Sequence, residues 1–240
     1  MALPKLSTPE FNTVIPSTKE DIKFRPFLVK EEKILYMALE GGEQKDIYNA
    51  TMNILENCIL TPGVKYNELT SYDLEYLFLK LRSKSVGEQI ELNLQHPDEE
   101  YRKNTCSAMT KVMVDIDSIN VQYNDKHNGK IDLGNGIGIE MKDPNAAIFT
   151  KINPDNNEFD QMLSMMYECT KLVYDPDDVY TDFSREELND FIGQLTKDQF
   201  EDITEFFNTI PALKHEISYV CEECGKSETI TLEGLQSFFS

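Results

Sequence analysis

Between Ser71 and Glu91, in SYDLEYLFLKLRSKSVGEQIE, Leu74, Leu77, Phe78 and Leu81 recur at i, i+3, i+4 and i+7. That spacing belongs to an amphipathic helix with one buried stripe. The helix is expected in the core, with the rest of the chain organised around it. Lys80, Arg82 and Lys84 crowd its last turn, where cations offset the negative end of the helix dipole. Gly87 then lets the chain turn into a strand.

A chain of 240 residues buries a sizeable core, and length alone allows one or two domains of roughly 100 to 200 residues each. With 40% hydrophobic and 10% aromatic residues it belongs with folded chains. Its apolar runs are too short to span a bilayer, and the start, MALPKLSTPE, lacks the apolar core of a signal peptide. A cytoplasmic protein without membrane insertion is expected. Five cysteines, an odd number without a regular framework, suit a reducing compartment in which thiols stay free or bind metal.

The net charge of −20 is unevenly placed. Residues 1–142 carry 17 Lys and Arg against 22 Asp and Glu, a balance of −5, and residues 143–240 carry 6 against 21, a balance of −15. Such a surface repels phosphate backbones and anionic lipid, which disfavours nucleic-acid and membrane binding. It reads either as a solvated face or as a surface for an electropositive partner.

In chain order, Phe11 to Ile15 and Asp21 to Phe27 form a predicted hairpin around Pro16–Glu20, with Pro26 at a strand exit. Val29 to Glu40 is a predicted helix with Glu31 and Glu32 in its first turn and Gly41-Gly42 at its end. A second helix, Glu43 to Ile59, is expected to bury Ile47, Ile54, Leu55 and Cys58, the cysteine as a small core residue.

Four segments together carry a resemblance. They are MALPKL at the start, Ile22 to Lys33 (IKFRPFLVKEEK), Asp73 to Glu88 (DLEYLFLKLRSKSVGE) and the ending Leu232 to Phe239 (LEGLQSFF). In combination, and nearly end to end, the chain resembles the baseplate hub assembly proteins of T-even-type tailed bacteriophages. The resemblance implies a non-enzymatic factor needed to build the central hub of a contractile tail's baseplate. Its implied partners are hub or tape-measure proteins, met in the host cytoplasm during assembly or in the tail baseplate itself. No catalytic residues follow from it.

Gln89 to Leu94 and Thr110 to Ile116 alternate as half-buried strands, with His96 and Cys106 between them. Lys130 to Leu133 and Ile137 to Met141 flank Gly134-Asn135-Gly136, a strong hairpin signal. The Gly134, Gly136, Gly138 spacing is no phosphate loop, because a strand follows where a helix N-terminus is needed. Asn157 to Tyr174 is helical in pattern but apolar over a wide arc. Either Met162, Met165 and Met166 offer an adaptable partner surface, or the helix lies buried between two layers. The acidic loop Asp175 to Asp182 lacks the glycine and the oxygen ligand that a calcium loop needs. Ser184-Arg-Glu-Glu187 and Thr196-Lys-Asp-Gln199 have capping-box form and open an antiparallel helical pair.

The last element is a strand, Glu216 to Val220, the knuckle Cys221-Glu-Glu-Cys224-Gly225, and a strand, Thr229 to Leu232. Cys-x-x-Cys-Gly between strands is the form of a zinc-ribbon knuckle, in which both thiolates reach one ion. A redox role would need the pair at a helix N-terminus in a βαβ setting. A structural zinc needs four ligands. The strand, His96, Cys106, strand order echoes the knuckle hairpin and makes those two residues the candidate partners of Cys221 and Cys224, with His215 in reserve. Against this stands a vestigial turn with two free thiols. His127, beside Asn128-Gly129, reads as an exposed turn residue.

The expected architecture is α+β: an N-terminal β-hairpin, helical middle segments and two zinc-ribbon-like β-hairpins. No low-complexity linker divides the chain, so residues 1–240 read as one unit with a mixed part (1–142), an acidic helical part (143–212) and a knuckle hairpin (213–240). Two functional readings stand, a chaperone-like assembly factor and a permanent hub subunit. A third, an acidic zinc-knuckle regulator or DNA mimic, is disfavoured by the absence of a basic stripe.

Overall fold

A computed structural model describes residues 7–42, 44–145, 147–148, 151–153, 155–234 and 237. The MALPKL segment, Glu43, and Leu235, Gln236, Phe238 and Phe239 of the ending lie outside the described residues. The described residues form seven helices and eleven strands in small antiparallel sheets, an α+β fold. The chain resolves into two compact units. One comprises Met1–Tyr66, Tyr72–Gln122 and Ala212–Ser240, the other Asn67–Ser71 and Tyr123–Pro211.

The first unit opens with β1 (Phe11–Val14) and β2 (Asp21–Phe24), antiparallel with Phe11 opposite Phe24 and their rings 5.8 Å apart. Helix α1 (Val29–Gly41) starts where the Glu31 carboxylate accepts the Leu28 N–H at 2.8 Å and pairs with Arg25 at 2.9 Å. It ends at Gly42, in the left-handed region at φ +70°. Helix α2 (Gln44–Cys58) follows and buries Ile54, Leu55 and Cys58 completely.

In α3 (Ser71–Val86), Leu74, Leu77, Phe78 and Leu81 are all buried as their spacing requires, and so are Tyr72, Asp73 and Leu79. Asp73 accepts the N–H of Ser17 at 2.8 Å and its hydroxyl at 2.5 Å, which ties the β1–β2 turn to the helix. The cations at the end of α3 have named partners beyond the dipole. Lys84 pairs with Glu88 at 2.5 Å and Asp117 at 2.9 Å, and the Lys80 ammonium donates to the Asp117 carbonyl.

Next come β3 (Gln89–Leu94), α4 (Glu99–Asn104) and β4 (Thr110–Asp115), the two strands pairing antiparallel from Gln89 opposite Asp115 to Leu94 opposite Thr110. The short helix is a finding beyond the sequence expectation; Asp98 caps it by accepting the Tyr101 N–H at 3.0 Å. Strand β5 (Val121–Gln122) closes this stretch.

In the second unit, β6 (Lys130–Gly134) and β7 (Ile137–Met141) form the expected hairpin. Asn135 and Gly136 both have positive φ, 56° and 80°, the requirement of a type I′ turn. Gly138 serves packing: a Cβ there would sit 2.2 Å from the Tyr174 hydroxyl and 2.6 Å from the Ile131 carbonyl oxygen. The expected helix Asn157–Tyr174 is corrected into two elements, α5 (Glu158–Cys169) and β8 (Thr170–Tyr174). Leu172 and Val173 belong to the strand, which pairs with β7 and with β9 (Val179–Tyr180). This accounts for an apolar arc too wide for one helix.

The acidic loop between β8 and β9 is a turn held by Asp175. Its carboxylate accepts the N–H groups of Asp177 and Asp178 at 2.9 and 2.8 Å and the Tyr180 hydroxyl at 2.9 Å; these bonds hold it below the usual carboxylate range. Helices α6 (Arg185–Ile192) and α7 (Lys197–Asn208) begin at Ser184 and Thr196 with both capping boxes formed. Ile139, Met166, Cys169, Leu188, Ile203 and Phe206 are central to the unit's core.

The chain then returns to the first unit as β10 (Ala212–Val220) and β11 (Ser227–Glu233), a hairpin in register from Lys214 opposite Glu233 to Val220 opposite Ser227. Both strands are longer than expected, and β10 also pairs with β5.

Candidate metal centre

The turn between β10 and β11 is closed by two backbone bonds, Cys221 N–H to the Lys226 carbonyl and Gly225 N–H to the Cys221 carbonyl, each 2.9 Å. Gly225 takes φ +73°, a left-handed conformation without cost for glycine alone. The bend aims backbone donors at sulfur. The N–H groups of Cys224 and Glu223 hold the Cys221 thiol down at about 6. The Lys226 N–H likewise lowers that of Cys224. The Ala108 N–H pulls on Cys106 in the same sense, but burial and the neighbouring Cys221 and Cys224 sulfurs outweigh it and push that thiol up.

His96 and Cys106 reach the same place from the loops on either side of α4. The Cys106 and Cys221 sulfurs are 3.8 Å apart, and the Cys224 sulfur is 3.4 Å from His96 Nε2. One ligand atom from each of the four residues lies within 4.8 Å of the others. His96 is 1% exposed and Cys106 and Cys221 are buried, leaving Cys224 as the exposed member.

Around these four stands a set of residues that sequence reading missed. His96 Nδ1 lies 2.8 Å from Glu228 Oε1, and Lys226 pairs with the same oxygen at 2.8 Å. The bond to Glu228 raises the imidazole's pKa above its ordinary value. The Tyr101 ring meets the His96 ring edge-on at 4.8 Å, its hydroxyl donates to the Cys224 sulfur at 3.8 Å, and the Lys226 ammonium lies 4.0 Å above it. Arg102 donates to the carbonyls of His96 and Pro97, and the Tyr219 hydroxyl donates to the Gln95 carbonyl at 2.6 Å. Glu228, Lys226 and Tyr219 meet His96, Tyr101 and Gln95 only when the two hairpins come together, so sequence spacing does not mark them as neighbours.

Other candidates lie elsewhere. His215 sits opposite Leu232 on β10, six residues before Cys221, or about 20 Å along a strand, so it is no reserve ligand. His127 is half-buried instead of exposed. Its ring lies 2.8 Å from Asp143 Oδ1 and 3.1 Å from Thr209 Oγ1, and stacks on Phe206 at 4.9 Å. This carboxylate, imidazole and hydroxyl row resembles a nucleophilic triad in composition, but Thr209 is buried and also bonds to the Glu205 and Phe206 carbonyls. Cys58 and Cys169 are core thiols, pushed by burial to about 11 and about 12. Of the methionines on α5, Met166 is fully buried and Met162 and Met165 pack half-buried against the same core. Met166 therefore offers no partner surface; its side chain fills the layer between helix and sheet.

Fold and site define an α+β protein of small sheets whose C-terminal hairpin carries a knuckle of zinc-ribbon form. The chain belongs to the T4 bacteriophage base plate protein family, whose model matches residues 8–240. Neither a curated protein nor a solved structure matches it. It is therefore a phage baseplate protein, of a family that is generally structural. No helix among the described residues is long and apolar enough to cross a membrane.

Proposed function

We propose that this baseplate protein is a non-enzymatic assembly factor of the baseplate hub, acting through contact with hub or tape-measure proteins in the host cytoplasm. The family match over residues 8–240 carries this reading. It is further supported by helix α1, which turns four large apolar side chains, Val29, Ile34, Tyr36 and Met37, to solvent. Exposed apolar groups gathered on one element suit a partner surface. Deletion of the gene is expected to stop hub formation while heads and tail fibres still accumulate, as seen by electron microscopy of infected cells. Normal infectious particles from the deletion mutant would end the proposal.

A permanent hub subunit is the second reading, favoured by the family's own description as a base plate protein. It differs in one consequence, retention of the protein in the finished particle. Either role uses the same contacts. Tyr36→Glu with Met37→Glu should lower capture of the partner about tenfold or more. Because both side chains are exposed, stability should change by less than about 0.5 kcal/mol. Partner pull-down beside thermal unfolding checks both statements, and unchanged capture would place the surface elsewhere.

A further inference from the structure

We infer that Cys106, Cys221, Cys224 and His96 hold one structural zinc ion that fastens the β3–β4 and β10–β11 hairpins together. The inference rests on geometry and is independent of the proposed role in hub assembly. A tetrahedral zinc with bonds of about 2.3 Å to sulfur and about 2.0 Å to nitrogen sets its sulfurs about 3.8 Å apart and sulfur and nitrogen about 3.5 Å apart. The site has 3.8 Å between Cys106 and Cys221 and 3.4 Å between Cys224 and His96. A disulfide would need sulfurs about 2.05 Å apart.

The surroundings match what a metal site requires beyond its ligands. Nε2 of His96 faces the sulfurs while Nδ1 faces Glu228. A carboxylate on the far nitrogen fixes the tautomer and the ring orientation of a metal-bound histidine. Lys226 in turn holds Glu228. Backbone N–H groups from Glu223, Cys224, Lys226 and Ala108 aim at the three sulfurs, as donors around metal-bound sulfur do. Binding releases the remaining thiol protons to solvent, and no oxidant or reductant takes part. Four protein ligands complete a tetrahedron and leave no position for a reacting water, so the ion's work is structural.

The location explains why a metal is useful there. The β3–β4 pair and the β11-β10-β5 sheet are separate ladders. The bond from Tyr219 to the Gln95 carbonyl bridges them next to the cluster. An ion bound by two residues from each hairpin region replaces the backbone ladder that the sheets do not share.

The test uses the full chain, expressed with zinc in the medium and purified without chelator. Elemental analysis is expected to find about one zinc per chain. Cys106→Ser, Cys224→Ser and His96→Ala should each lose most of it, whereas His215→Ala keeps it. Glu228→Gln should keep the ion but bind it about 10- to 100-fold more weakly in competition with a chromophoric chelator. Should the ligand variants fail to fold, cobalt exchange into the wild-type protein decides the matter. A tetrahedral spectrum with strong thiolate-to-metal charge transfer supports the site. An octahedral spectrum, wild-type protein with only traces of zinc, full zinc retention in Cys106→Ser and His96→Ala, or a Cys106–Cys221 disulfide in peptide maps would each overturn it.

Discussion

Glu31 shows how single residues hold this chain. Its carboxylate is 2% exposed, and burial by itself would raise its pKa, but Arg25, the Leu28 N–H and Lys30 together hold it below the usual value. A carboxylate lowered in the folded state adds stability above its unfolded pKa, and that contribution disappears as pH falls through the folded value. Arg25→Met should cost roughly 3 kcal/mol near neutral pH, because it removes the part-buried cation from a buried carboxylate and leaves only the exposed Lys30 as its charged partner, and the loss should shrink in acid. Urea titrations at neutral and acidic pH check both statements; equal losses at the two would show that the pair is not the cause. Gly138 is the second case. Its alanine variant drives a Cβ against the Ile131 carbonyl, for an expected loss of roughly 2–3 kcal/mol. Denaturant unfolding measures that loss, and a change under about 0.5 kcal/mol would mean that the strand moves to make room. At this scale the sequence was partly legible. Cys221 and Cys224 declared themselves by spacing, and the echo of two hairpins pointed to His96 and Cys106. Glu228 and Tyr101 did not, since a carboxylate in an alternating strand and a tyrosine in a polar stretch have no periodic signature.

Elements were readable where one local rule dominated. Both capping boxes, at Ser184 and Thr196, form as their residue types dictate. Ser184→Ala and Thr196→Ala should each cost about 1 kcal/mol, additively because each cap serves its own helix. Thermal unfolding of the single and double variants checks this, and a smaller combined loss would show that the caps are coupled. Reading failed where two rules met. The apolar run through Met166 and Cys169 carries helical spacing, and from Thr170 onward the residues pair with β7, so an uninterrupted apolar pattern hid a change of period at Cys169. Helix α4 was invisible for a different reason: six residues hold less than two turns, too few to repeat a stripe. Its place is set by the Asp98 cap and by Arg102 bonding to the loop before it.

For the molecule as a whole, charge and family membership carry the argument. A net charge of −20 favours solubility and opposes the compact state by self-repulsion, so added salt should raise the thermal midpoint above its low-salt value. The α+β class was legible from alternating short strands and capped helices. The way the C-terminal hairpin rejoins the first unit was not, because β10 pairs with β5 across roughly 90 residues of sequence. Membership in the T4 bacteriophage base plate protein family locates the protein's work in the tail, and the assembly-factor reading makes a sharp quantitative claim about where it is found. Mass spectrometry with labelled standards, applied to purified hub intermediates and to mature virions, measures this directly. The account predicts the protein in hub-containing intermediates and its loss, or only residual amounts, in the finished particle. Recovery from mature virions at the same fixed ratio to other baseplate proteins as in the intermediates would contradict it.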